Sequence, residues 1–152
     1  MARMIVRPAA PADAQAGSAL LRRAITELCL ADHAGDPAQI AGWVANKTPQ
    51  TWLEWLARDD AMMYVAEQGG RIVGVCMMRN NGEVLLNYVS PDARFQGISK
   101  AMLSRMEADA AAVGVREMTL ESTVTARRFY LSAGYSPVGD AGRMLHKRFG
   151  DS

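Results

Sequence analysis

The sequence has no excess of charge. Lys and Arg number 17 against 16 Asp and Glu, a formal net charge of +1. A protein held to a polyanion mainly by charge needs a basic surplus to neutralise phosphates, so nucleic-acid binding is not the expected role. A local basic site for one small phosphate ligand is still open. Cysteine is scarce. Cys29 and Cys76 are the two present, both in apolar periodic stretches and neither in a CxxC or Cys/His ligand spacing. Both are expected to be reduced core thiols, which excludes a disulfide scaffold and any metal site built on sulfur. No apolar run approaches the roughly 18 residues of a membrane span. Met1 to Arg7 has no apolar signal-peptide core. The expected location is the cytoplasm, away from membranes. Internal repeats and low-complexity tracts are absent as well. At 152 residues, the chain is expected to form one domain over 1–152.

What is present is an ordered alternation of elements. Met4 to Arg7 reads as a strand stopped by Pro8. Pro11-Ala12-Asp13 opens a helix in which Leu20, Leu21, Ala24, Ile25 and Leu28 recur at helical spacing. Asp36-Pro37 and Thr48-Pro49 each pair a capping side chain with a proline in the first turn, and so predict two further helix starts. Met62 to Glu67 and Ile72 to Met78 flank Gly69-Gly70 as a hairpin. Asn81-Gly82 turns the chain into a third strand, Glu83 to Val89. A helix follows, with Ile98, Met102, Met106, Ala110 and Val113 on one face, then a strand at Met118 to Leu120. A helical stripe of Ala126, Phe129, Tyr130 and Ala133 ends at Gly134. Tyr135 to Val138 and Arg143 to Phe149 read as closing strands. The order β-α-α-α-β-β-β-α-β-α-β-β predicts a mixed α/β (α+β) fold. It suggests a mixed sheet with helices on both faces.

The segment from Val89 to Leu103 carries the most chemistry. A buried strand ends, a turn follows, and small residues open an amphipathic helix. The first N–H groups of a helix lack internal partners and lie at the positive end of its dipole, so such an end suits a phosphate. Gly97 permits close backbone approach, Ser99 adds a hydroxyl, and Arg94 and Lys100 can offset charge.

This stretch resembles the acetyl-CoA-binding signature Q/R-x-x-G-x-G/A of the GCN5-related N-acetyltransferase (GNAT) superfamily. Arg94, Gly97 and Ser99 meet it, with Ser99 standing where the family has Gly or Ala. Tyr88-Val89-Ser90-Pro91 matches the aromatic-Val-x-Pro run that precedes it. Thr123 to Tyr135 resembles the family's other motif, N-x-x-A-x-x-hydrophobic-Tyr-x-x-x-Gly-aromatic, through Ala126, Phe129, Tyr130, Gly134 and Tyr135. Thr123 stands where Asn is commoner. The two motifs lie in the right order, and the resemblance spans roughly 60 to 140.

The resemblance implies a GNAT-like α/β (α+β) fold, with a central, mostly antiparallel sheet of about seven strands flanked by helices on both faces, and an N-acetyltransferase that uses acetyl-CoA as acyl donor without a metal. The acceptor it implies is a small-molecule or peptide amine. Donor contacts are expected from Tyr88, Val89, Arg94, Phe95, Gln96, Gly97, Ile98, Ser99, Lys100, Thr123, Arg127 and Tyr130. The pantetheine arm is expected to pair like an added strand beside Tyr88 and Val89. A backbone N–H near Val89 would polarise the thioester carbonyl.

Acyl transfer releases a thiolate, and a phenol near the sulfur can protonate it. The resemblance gives that role to Tyr130; a core aromatic with a locally satisfied hydroxyl is the plain alternative. The acceptor ammonium must lose a proton before it attacks. Glu83 matches the register of the catalytic glutamate of histone-type members, and Glu121 ends the strand beside the expected gap. Either could instead be a solvated or salt-bridged strand-end glutamate. Cys29, Asp32, His33 and Asp36 cluster after the first helix, in the region that lines the acceptor pocket of many members. Cys29, His33 and Glu121 are the substrate-contact candidates. Trp43, Trp52 and Trp55 read as core and helix packing. An acyl-carrying Cys29 or Cys76 would lack a sequence-adjacent base. A non-catalytic acetyl-CoA sensor or interaction domain is the alternative function. Many members dimerise, and exposed strand edges at the C-terminus would allow a homodimer.

Overall fold

The computed structural model describes residues 3–139 and 142–149. It begins with strand β1 (Met4–Pro8) and a 3-10 turn at Pro11–Asp13, followed by helices α1 (Ala14–Leu28), α2 (Leu30–His33), α3 (Pro37–Val44) and α4 (Pro49–Leu56). Local chemistry accounts for these starts. The Asp36 carboxylate accepts the Ala38 N–H at 2.9 Å, and the Thr48 hydroxyl accepts the Thr51 N–H at 3.1 Å. Each satisfies a helix donor that would otherwise lack a partner. The one-turn helix α2 lies inside the stretch read from sequence only as a polar cluster. It closes at Ala34, in the left-handed region at φ 52.

Strands β2 (Ala61–Gln68), β3 (Arg71–Arg79) and β4 (Glu83–Val89) form the expected meander. Helix α5 (Ile98–Ala112), strand β5 (Glu117–Glu121), helix α6 (Arg127–Ser132) and strands β6 (Ser136–Pro137) and β7 (Met144–Arg148) complete the order. The sheet has seven strands in the order β1-β2-β3-β4-β5-β7-β6. Every pairing is antiparallel except β4 with β5, which is parallel. The expected strand at 135–138 shrinks to Ser136–Pro137 on the sheet edge.

Each face of the sheet is covered. On one, Leu20, Leu21 and Ala24 of α1 and Trp52 of α4 pack on Val65, Val75 and Met77. On the other, Ile98, Met102 and Met106 of α5 meet Cys76, Met78, Met118, Leu120, Tyr130 and Leu145. Trp52 is completely buried and donates its indole N–H to the Ala10 carbonyl at 3.1 Å. Trp55 packs on the same cluster, and Trp43 meets the His33 ring edge-on at 6.1 Å. The tryptophans are therefore packing residues, as expected.

The middle of the sheet creates the cleft. Met77 pairs with Leu86 and Met78 with Val84, which leaves Leu85 as an extra residue on β4. Such a bulge bends and twists its strand. Pairing of β4 with β5 consists of Glu83↔Thr119 and Val84↔Leu120 and stops there. Beyond Val84 the two strands part, and the edge of β4 that faced β5 has no strand partner from Leu85 to Val89. A V-shaped gap opens between their C-terminal ends.

Candidate active site

The gap holds a cavity of about 360 Å³. One wall is the start of α5. Its N-cap is Gly97, in the left-handed conformation at φ 76, and no side chain caps the helix. The first intrahelical bond runs from Ala101 N–H to the Gly97 carbonyl. The N–H groups of Ile98, Ser99 and Lys100 thus have no helical acceptor, and all three residues line the cavity with Arg94, Phe95 and Gly97. Free amides, a helix dipole and two cations meet at one end of the gap, which is the chemistry of a phosphate cradle. The neighbouring Phe95 is unusual: a bulky side chain at φ 63, 91% exposed, with the Arg94 guanidinium 4.6 Å from its ring centroid.

Tyr130 and Asn87 also line the cavity. The Tyr64 phenol donates to Asp109 at 2.6 Å and the Tyr135 phenol to Glu107 at 2.9 Å. Among the described residues the Tyr130 hydroxyl has no well-formed hydrogen bond. Burial pushes its pKa up to about 12; the Asn87 amide alongside opposes that rise. Both polar atoms of that amide are buried without a hydrogen-bond partner. A buried, protonated phenol with an unused donor can give a proton to an anion formed beside it.

Glu121 ends β5 opposite Met144 of β7, and it lines the cavity. Among the described residues its carboxylate has no ion pair or hydrogen bond. Cys29 lines the cavity too, and burial, then the nearby Asp32 charge, pushes its thiol up to about 11. The Cys76 thiol is pushed up still further by burial. Neither sulfur is a thiolate at neutral pH, so neither is an activated nucleophile.

Several expected residues fall elsewhere. Glu83 sits at the closed end of the V, against Thr119, and its carboxylate lies 3.4 Å from the Arg79 guanidinium. It does not line the cavity, because the strands part only after Val84. His33 is buried, with Nδ1 accepting the Gly35 N–H at 3.0 Å and Nε2 at 2.7 Å from the Ile25 carbonyl. Nδ1 must be unprotonated to accept, so Nε2–H donates. Both nitrogens are engaged inside the fold, and His33 is not in the cavity lining. Gln96 and Arg127 are not in the cavity lining, whereas Tyr88, Val89 and Thr123 are. Thr123 has a further role, its hydroxyl accepting the Ala126 N–H at 3.1 Å at the start of α6.

Asn87, Leu28 and Leu86 line the gap and were not singled out from the sequence. The signal for Asn87 was a polar residue within an otherwise apolar strand. Asp32, read as part of the polar cluster, is a brace. It accepts the N–H groups of Val124 and Thr125 and the Thr125 hydroxyl, and so fixes α2 to the loop between β5 and α6. Among the described residues no group of three His, Cys, Asp or Glu is placed to hold a metal ion. No helix among them is long and apolar enough to cross a membrane.

The model of the acetyltransferase (GNAT) domain family matches residues 29–149. The chain belongs to the GNAT family. Its general chemistry is therefore acetyl transfer. The solved GNAT structures agree in fold. The PaiA N-acetyltransferase of Thermoplasma acidophilum, in complex with coenzyme A, superposes with a TM-score of 0.83 at 18% identity, covering 97% of this chain and 99% of its own. A GCN5-related N-acetyltransferase from Rhodopseudomonas palustris gives 0.87 at 20% identity, covering 98% of each chain. A GNAT acetyltransferase from Brucella melitensis, in complex with acetyl-CoA, gives 0.68 at 16% identity, with 98% and 90% covered. No curated protein matches the chain in sequence.

Proposed function

We propose that this chain, as one acetyltransferase domain over 1–152, moves an acetyl group from acetyl-CoA to a primary amine by direct attack in a ternary complex. The observation that carries the proposal is the meeting of two features in one gap. Free amides at Ile98, Ser99 and Lys100 form one end, and the buried Tyr130 phenol with its unused donor stands in the other.

The pyrophosphate of the donor rests on the α5 amides, with Arg94 and Lys100 offsetting its charge. The pantetheine arm runs along the unpartnered edge of β4 beside Tyr88 and Val89 and hydrogen-bonds to its backbone. Glu121, the carboxylate of the cavity lining, takes the proton of the acceptor ammonium, directly or through water. The amine nitrogen then attacks the thioester carbonyl, with a β4 backbone N–H near Val89 steadying the oxyanion. As the C–S bond breaks, the Tyr130 phenol passes its proton to the sulfur and free CoA thiol leaves. The nitrogen sheds its second proton to solvent as the amide forms, and the tyrosinate is reprotonated from solvent.

The test has two stages. Calorimetric titration of acetyl-CoA into the chain, with adenosine and NAD as controls, is expected to show saturable binding to the thioester alone. Tyr130→Phe is then expected to keep that affinity and lose about 10²- to 10⁴-fold in thiol release with an amine acceptor, the range of general acid catalysis. Binding without turnover in the wild type against any amine would instead mark a donor-sensing domain.

A further inference from the structure

On the acetyl-transfer reading above, we infer that the acceptor is a monoamine with an apolar body rather than a polyamine or a polyhydroxylated amine. The charged groups of the cavity divide by wall. Both cations of the lining, Arg94 and Lys100, stand on the donor loop. Glu121 is the single carboxylate of the lining.

The wall facing the donor loop is apolar. Leu28 and Cys29 come from the end of α1, and Leu86 and Tyr88 from the face of β4 that packs toward α1 and α4. Two apolar residues beside this lining in the chain are open. Leu30, next to the lining residue Cys29, is 59% exposed, and Val124, between the lining residues Thr123 and Thr125, is 51% exposed. Asp32 of α2 ties the two segments together by accepting the Val124 N–H at 2.7 Å. Large apolar side chains left open next to lining residues mark a binding surface.

The other acids of this neighbourhood are occupied. Asp32 is held by Val124 and Thr125, Asp36 caps α3, and Glu27 pairs with Arg23 at 2.9 Å. One ammonium therefore finds one free carboxylate. A second ammonium entering the gap would be desolvated without a partner, which is strongly disfavoured. On this wall a ring of hydroxyls would face Leu28 and Leu86, which neither accept nor donate. An alkyl or arylalkyl tail meets surface of its own kind. The cavity of about 360 Å³ is shared with the pantetheine arm, so the part of the acceptor inside it is small.

The experiment uses the full chain at saturating acetyl-CoA, with thiol release as readout. Hexylamine and phenethylamine are compared with putrescine, spermidine, kanamycin and short peptides. The apolar monoamines are expected to exceed spermidine and kanamycin by at least tenfold in kcat/KM. Val124→Asp places a second carboxylate at an exposed position between the lining residues Thr123 and Thr125, and it is expected to shift the spermidine-to-hexylamine ratio at least tenfold toward spermidine. Preference of the wild type for spermidine or kanamycin overturns the inference, as does acetylation confined to peptides. An unmoved ratio in Val124→Asp does the same. Those outcomes leave the donor reading intact. Absence of acetyl-CoA binding in the calorimeter removes the donor reading itself, and the inference with it.

Discussion

The Asp32 carboxylate accepts the Thr125 hydroxyl at 2.6 Å and joins two segments 93 residues apart. Burial works against its charge, but the hydrogen bonds from Thr125 and from the Val124 and Thr125 backbones hold it below the usual carboxylate range. A depressed carboxylate contributes stability above its unfolded value and loses it as the pH falls through its folded value. Asp32→Asn is therefore expected to melt below the wild type at pH 7, with the difference closing below about pH 4. Thermal melts of both proteins from pH 3 to 7 check this. A gap that stays constant over that range would deny the brace its charge.

The same substitution is expected to have opposite effects at two helical glycines. A methyl on Gly17 would run into the Trp52 indole ring, which is completely buried. Gly42 on α3 has nothing within 4 Å of where its methyl would lie. Gly17→Ala is expected to destabilise by about 1–3 kcal/mol, as overpacking does. Gly42→Ala is expected to stabilise by about 0.5–1 kcal/mol, because alanine restricts the unfolded chain. Urea denaturation of the two variants decides both signs.

Phe95 holds φ 63 with a large side chain 91% exposed. The left-handed region disfavours any Cβ by roughly 1–2 kcal/mol, and almost no burial offsets it here. Phe95→Gly is expected to raise the melting temperature by several degrees. A lowered one would mean that the Arg94 contact with the ring outweighs the backbone strain.

Alkaline pH is expected to unfold the chain abruptly. Burial, the leading cause in each case, raises the phenols of Tyr64, Tyr88, Tyr130 and Tyr135. It likewise raises the thiols of Cys29 and Cys76. The unfolded chain ionises first, near 8.5 for thiols and 10 for phenols, so stability holds below those values and falls above them. The slope is about 1.4 kcal/mol per pH unit for each group that titrates only when unfolded. Tyrosinate absorbance and loss of far-ultraviolet helix signal should appear together as the pH climbs from 9 to 12. Tyrosinate forming near pH 10 in a folded protein would refute the burial argument.

Much of the fold was legible because its signals are local. Asp36-Pro37 and Thr48-Pro49 announce α3 and α4 through groups two or three residues apart. Asn81-Gly82 needs no distant partner to turn the chain into β4. The uncapped start of α5 was legible for the same reason, since its free amides belong to the local sequence itself. What was hidden depends on register. Nothing in Glu83-Val84-Leu85-Leu86 marks Leu85 as the bulged residue, so nothing told that β4 and β5 part after Val84. That parting leaves Glu83 outside the gap and Glu121 inside it. The burial of His33 was hidden too, because its partners, the Ile25 carbonyl and the Gly35 N–H, become visible only once α1 and α2 are folded against each other.

The narrow join between β4 and β5 has a mechanical consequence. Two residue pairs weld the β1–β4 part of the sheet to the β5–β7 part, and a further link runs through α5, whose Glu107 is bonded by Tyr135 and Lys147. Anything lodged in the V touches both plates and acts as a splint across the joint. Occupancy would then register as stiffness in β7 and β6, well away from the reacting atoms, and hydrogen exchange in those two strands becomes a gauge of the filled cleft.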